Sequence, residues 1–150
     1  MVSREILRVR GEDAPPDRTP LAEPGKTLRF KIGDVIEDHV RVVNPKDHNF
    51  VAVVVPLAAG LEPLNPALAT APPEAKPANG LTLQPSYVAY LDDQVAFYYD
   101  ALPKGTFDFY FRTRATTEGT WTQPSARADM MYDDTVQGTS PGAKVEVVRE

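Results

Sequence analysis

Residues 106–115 read TFDFYFRTRA, and this stretch decides the fold. Phe107, Phe109 and Phe111 recur at every second position, whereas the residues between them are polar or amphipathic. Because side chains alternate between the two faces of a β-strand, this spacing predicts a strand that buries its three phenylalanines on one face. We expect Trp121, the one tryptophan of the chain, to join them in the core.

Shorter stretches of the same kind lie on both sides of this strand. We predict further strands over 3–10, 27–32 (with Leu28, Phe30 and Ile32 on one face), 35–43, 50–56, 86–92, 94–99, 120–122 and 143–149. Turn signals separate many of them, at Asn44-Pro45, Asp92-Asp93, Pro103-Lys104-Gly105 and Glu118-Gly119. The segment 11–26 is expected to be a polar connection, 57–80 a proline-rich connection with one short helical turn in LEPLNPALAT, and 123–142 polar and irregular except for Met130-Met131-Tyr132. The pattern predicts an all-β fold, an antiparallel β-sandwich of about seven to nine strands with little helix.

Length and charge limit what the molecule does. The 150 residues suit one domain, so we expect a single β-sandwich domain over 1–150. Sixteen basic against 21 acidic residues give a net charge of −5, which argues against nucleic-acid partners and against direct membrane contact through a basic surface. The first residues are not followed by an apolar signal segment, so any export signal is expected upstream.

The chemistry-bearing residues are few. There is no cysteine, so the chain itself holds no disulfide, thiolate metal site or thioester. No nucleophile-elbow, zinc-peptidase, dinucleotide or phosphate-loop motif occurs. The two histidines, His39 and His48, are interpreted as structural. We therefore predict no enzymatic activity, no cofactor and no metal.

Two pairs of adjacent aspartates leave an alternative open. Asp92-Asp93 and Asp133-Asp134 suit either a calcium site or the paired carboxylates of a glycosidase. Adjacent aspartates in turns more often satisfy turn geometry, which is the interpretation we favour. A metal-dependent enzyme that uses these aspartates is kept as the least favoured hypothesis for the function of the chain.

Aromatic and apolar clusters suggest binding. The aromatic residues of 97–111 suit either a core or a carbohydrate-binding face, with Tyr98 and Tyr110 as the candidates for exposure. Met130-Met131-Tyr132 is an apolar triplet inside a polar segment. It either folds onto this sandwich or docks onto another domain, where methionine and tyrosine pack well.

The stretches 40–68 and 97–140 resemble the C-terminal macroglobulin-like domain of bacterial alpha-2-macroglobulins. Each short motif is weak alone, but their order and spacing together are specific. The residues that carry the resemblance are Asn44-Pro45, Pro56-Leu57, Gly60-Leu61-Glu62, Asn65-Pro66, Leu102-Pro103, Gly105-Thr106-Phe107, Arg114-Ala115, Gly119-Thr120, Pro124 and Met131-Tyr132.

The resemblance implies that the chain is the C-terminal domain of a much larger exported peptidase inhibitor, located in the periplasm or at the cell surface. In members that carry a Cys–Gln thioester, the last domain covers that bond, and Met131 and Tyr132 match the shielding loop. The implied partners are the other domains of the same chain, above all the thioester domain, and target peptidases through the whole protein. The alternative from a different class is a free-standing β-sandwich module that binds carbohydrate or a surface.

Overall fold

The computed structural model describes residues 2–9, 17–20, 26–65, 82–91, 93–130 and 133–149. These residues form strands and no helix, which confirms the all-β prediction. The strands are β1 Val2–Arg8, β2 Asp17–Pro20, β3 Lys26–Lys31, β4 Val35–Asn44, β5 His48–Pro56, β6 Leu61–Leu64, β7 Tyr87–Tyr90, β8 Gln94–Leu102, β9 Gly105–Ala115, β10 Gly119–Gln123, β11 Arg127–Met130, β12 Asp133–Thr139 and β13 Ala143–Val148.

The strands form three sheets in two layers. Sheet I has the order β2-β1-β4-β9-β6, sheet II the order β12-β11-β5-β8-β7, and sheet III the order β10-β13-β3. The described pairings are antiparallel except that of β13 with β3, which is parallel. One face of sheet I packs against both of the other sheets, so sheets II and III together make the second layer of the sandwich.

The core divides accordingly into two clusters. The first joins sheet I to sheet II and contains the three phenylalanines of β9, which are buried as predicted. The second joins sheet I to sheet III, and Trp121 packs against it while staying partly exposed. Residues 51–55 of β5 are buried at every position. This fits the unbroken apolar sequence of a strand in the middle of a sheet.

Several local expectations were wrong. The segment 123–142 is not irregular, because it contains β11 and β12, which pair with each other and, through β11, with β5. The connection 11–26 contains β2. The expected helical turn begins instead with β6, and Ile32 lies beyond the end of β3 with 41% of its surface exposed. Pairing of β11 and β6 with distant strands supplies their backbone hydrogen bonds, and no local pattern reports that pairing.

In the part of the chain that the structure describes, no helix is long and apolar enough to cross a membrane.

Candidate functional site

The predicted docking residues, Met131 and Tyr132, lie outside the described residues. The structure does describe the strands on both sides of them. β11 and β12 are antiparallel, and Met130 lies opposite Asp133 at the last described pair of their ladder. The register shifts between Asp129 and Met130, so the ladder is irregular next to the predicted site.

The β11–β12 hairpin is closed at its base by hydrogen bonds. The Ser140 amide donates to the Ala126 carbonyl at 2.9 Å, and the Ala126 amide donates to Ser140 Oγ at 3.2 Å. Both residues are buried. β11 also pairs with the central strand β5, from Arg127 opposite Val54 to Met130 opposite Val51. The hairpin is thus part of sheet II and takes its position from that sheet.

His39 lies in a cluster of charged groups on the outer face of sheet I. Its Nδ1 is 2.8 Å from Glu5 Oε1 on β1, and its Nε2 is 2.8 Å from Asp108 Oδ1 on β9. Each ring nitrogen thus lies within hydrogen-bonding distance of a carboxylate oxygen on a neighbouring strand. The ring also stacks on Tyr110, with centroids 4.4 Å apart. His39 therefore joins three neighbouring strands from its place on β4.

Asp108 accepts a second hydrogen bond, from Arg41 Nε at 2.8 Å. Partial burial of the Asp108 carboxyl acts to raise its pKa, but the hydrogen bonds and the charges of Arg41 and His39 together outweigh burial and hold that pKa below its usual value. A carboxylate in this setting stays ionised and works as a bridge between strands. Such an arrangement ties β4 to its two neighbours on the outer face of sheet I.

His48 is the first residue of β5 and lies at a corner of the sandwich. Its Nδ1 is 2.8 Å from Asn44 Oδ1. The Asn44 amide donates to the carbonyls of Leu102 and Pro103, at 3.1 and 2.9 Å. One asparagine therefore ties the turn after β4 to the turn before β9.

Among the side chains that the structure describes, no group of three His, Asp or Glu is arranged to hold an ion. The side chains of Asp133 and Asp134 are not among those described. Asp92 lies outside the described residues. Asp93 is exposed, and its carbonyl accepts a hydrogen bond from the Leu57 amide at 2.8 Å. This contact fits the interpretation of Asp93 as a turn residue. The predicted hairpin itself is confirmed, because β7 and β8 pair antiparallel on either side of it.

The aromatic residues do not share one face. Phe97 and Tyr99 of β8 lie in the core with the phenylalanines of β9. Tyr98 and Tyr110 point away from that core, but they belong to different sheets. Sequence reasoning missed Tyr87, which is 65% exposed and stacks on Tyr98 with centroids 6.0 Å apart. Tyr87 lies on the short strand β7 at the margin of sheet II, and the sequence around it has no pattern that indicates its exposure.

Comparison with known proteins gives a consistent result. A family model described as the bacterial alpha-2-macroglobulin MG10 domain matches residues 1–134. The chain is similar to the crystal structure of Salmonella alpha-2-macroglobulin reacted with methylamine, with 20% identity and a TM-score of 0.68, over 98% of this chain and 9% of that one. No curated protein matches.

Two structures from Escherichia coli are similar to the same extent. One is alpha-2-macroglobulin activated by porcine elastase, with 20% identity and a TM-score of 0.70, over 98% of this chain and 13% of that one. The other is trypsin-activated alpha-2-macroglobulin, with 20% identity and a TM-score of 0.71, over 98% of this chain and 10% of that one. The chain thus spans 9–13% of the length of these three structures. At this identity the likeness establishes the fold, and the family model establishes the family.

Proposed function

Because the chain belongs to the family of bacterial alpha-2-macroglobulin MG10 domains, we propose that it is a non-catalytic β-sandwich domain of a longer peptidase-inhibiting protein. The observation that carries this proposal is the family match over 1–134, in a chain that spans about a tenth of the length of similar structures. The same observation favours a domain that contacts other domains of a longer chain, rather than a free-standing module. We place it at the C-terminal end of an exported protein, in the periplasm or at the cell surface.

The proposed role is contact with the thioester domain of the same longer chain, through Met131 and Tyr132. A stored thioester hydrolyses in water, so it needs an apolar cover. Methionine contributes a flexible, polarizable side chain, and tyrosine covers a wide apolar area while keeping one hydroxyl for a hydrogen bond. The pairing of β11 with the central strand β5 supports this role, because it holds in place the strand that directly precedes Met131 in the sequence.

Target peptidases are reached only through the whole protein in this proposal. With no cysteine, the chain has no thioester of its own with which to capture a peptidase. The chain alone, mixed in molar excess with trypsin or elastase, should leave digestion of a large protein substrate unchanged. Stoichiometric protection of that substrate by this chain would contradict the proposal.

The docking role is tested in the longer protein that contains this domain, provided that it carries a thioester cysteine. Tyr132→Ala and Met131→Ala should each release a free thiol faster than wild type when incubated with methylamine. Tyr87→Ala is the matched control, since it removes an exposed tyrosine at the opposite margin of sheet II. If both docking variants keep the thioester as long as wild type, the shielding role is wrong.

A further inference from the structure

Two segments cross side by side between the two sheets of the second layer. Residues 124–126 lead from β10 in sheet III to β11 in sheet II, and residues 140–142 lead back from β12 to β13. A side-chain carbon on Gly142 would lie 2.8 Å from the Gln123 carbonyl oxygen, so the two segments are in close backbone contact. We call them the crossover. The whole β11–β12 hairpin enters and leaves sheet II through it.

A buried ion pair lies beneath the crossover. The Arg4 guanidinium on β1 donates from Nε to the two carboxylate oxygens of Asp38 on β4, at 3.0 and 3.2 Å, and from Nη2 to Asp38 Oδ2 at 2.5 Å. The Arg4 side chain is 0% exposed and that of Asp38 is 3% exposed. Both face the inside of the sandwich, in line with Val2 and Ile6 on β1 and with Val40 on β4.

Both terminal nitrogens of Arg4 also reach the second layer. Nη1 donates to the Pro124 carbonyl in the crossover, and Nη2 donates to the Pro56 carbonyl at the end of β5, both at 3.3 Å. Arg4 thus contacts the point where the chain enters β11 and the last residue of the strand on which β11 pairs. Lysine has no fork of donors in fixed directions and cannot reproduce this set of contacts.

The pair also separates the two core clusters. Val2 and Val40 belong to the cluster under sheet II, whereas Ile6 and Ile36 belong to the cluster under sheet III. Arg4 and Asp38 stand between them on the same two strands. Two ions taken out of water there add little net stability compared with apolar side chains of similar size. We therefore infer that the pair acts mainly on the position of the backbone around it. Each hydrogen bond from Arg4 forms only when the accepting carbonyl lies in one place.

We propose that Arg4, with its guanidinium oriented by Asp38, is a positioning residue that fixes the crossover and hence the place at which the chain passes from sheet III into β11 of sheet II. Its importance for docking rests on the proposed function, since the hairpin leads to residues 131 and 132. The positioning itself concerns this chain alone. It is tested on this chain, whereas the docking role is tested by thioester loss in the longer protein, so the two failures are distinguishable.

The test is amide hydrogen exchange measured by mass spectrometry on this chain and its variants. Arg4→Lys keeps the positive charge opposite Asp38 but loses the guanidinium donors that reach the Pro124 and Pro56 carbonyls. The double variant Arg4→Met with Asp38→Leu removes both charges and leaves no unpaired ion. Arg112→Lys is the matched control, because it alters an ion pair with Glu37 on the outer face of the same sheet.

In Arg4→Lys and in the double variant, amides of the crossover and of β11 should exchange about tenfold faster, because two hydrogen bonds to a charged donor are lost there. Amides of β8 and β9 should exchange as in wild type, and Arg112→Lys should leave the crossover unchanged. Equal acceleration in all sheets would overturn the proposal, as would unchanged exchange in the crossover of a folded double variant. A double variant that fails to fold also overturns it, because the pair would then support the entire sandwich.

Discussion

Gly60 provides the sharpest test of how the sandwich is packed. It lies in the turn between β5 and β6, against the face of the Trp121 indole on β10. An alanine Cβ at this position would lie 2.2 Å from Cζ3 of Trp121 and 2.7 Å from Cε3 and Cη2. These atoms belong to a ring that also closely approaches Gly119, at 2.9 Å from its would-be Cβ. The indole therefore has little freedom to move aside, and either the turn or the ring must shift.

We expect Gly60→Ala to lower the free energy of unfolding by about 2–3 kcal/mol, the upper part of the usual range for overpacking. In a Trp121→Leu background the obstructing ring is gone. The same change should then be neutral or slightly stabilising, because alanine restricts the unfolded chain more than glycine does. The coupling free energy between the two sites should therefore be about 2–3 kcal/mol. Urea unfolding followed by far-UV circular dichroism measures all four proteins, including those without the single tryptophan.

Gly33→Ala is the control for a backbone effect. Gly33 has φ of +93° and nothing within 4 Å of a would-be Cβ, so alanine there is strained without a steric clash. Its cost of about 1–2 kcal/mol should be the same with Trp121 or Leu at position 121. If Gly60→Ala also costs the same in both backgrounds, the close packing on the indole is not the cause and our reasoning fails.

Two ionisable groups predict how stability changes with pH. The hydrogen bonds and the charges of Arg41 and His39 hold the folded-state pKa of Asp108 below the unfolded value despite partial burial, so its contribution to stability is present above about pH 4 and is lost as the pH falls further. In Asp108→Asn the thermal unfolding temperature should fall less steeply between pH 5 and pH 2 than it does in wild type. An equally steep fall would contradict the assignment to Asp108. Burial raises the pKa of Tyr99 to about 12, so its contribution is complete below about pH 10 and is lost as the pH rises through about 12. Tyr99→Phe should remove this alkaline decline while losing the hydrogen bond to the Leu83 carbonyl at 2.7 Å, and a decline as steep as in wild type would count against Tyr99.

Local pattern was sufficient for the strands that carry the core. The alternation of phenylalanines on β9 and the unbroken apolar sequence of β5 predicted both position and burial. Pattern failed where a strand depends on a distant partner. β12, with the sequence DDTVQGT, has no alternation to detect and forms by pairing with β11. The parallel pairing of β13 with β3 also joins segments that no turn signal connects.

The candidate site was predictable only in part. Met131 and Tyr132 stood out by composition and remain a prediction. His39 was expected to be structural, but its two carboxylate partners come from strands 34 and 69 residues away in sequence. The contact of Arg4 with the Pro124 carbonyl spans 120 residues. Composition identifies such residues as charged, and only the register of the sheets shows which groups they meet.

Some of the residues that carry the family resemblance lie close together in the fold although they are far apart in the sequence. Asn44, of the first motif, donates to the carbonyls of Leu102 and Pro103 in a later one. Gly60 and Gly119, from two further motifs, border the same indole. In both cases the fold brings together motifs that are distant in the sequence, which is a physical reason for their order to matter. A side chain at position 60 or 119 would overlap the Trp121 indole, so the coupling expected between Gly60 and Trp121 tests whether that ring is what requires glycine at position 60.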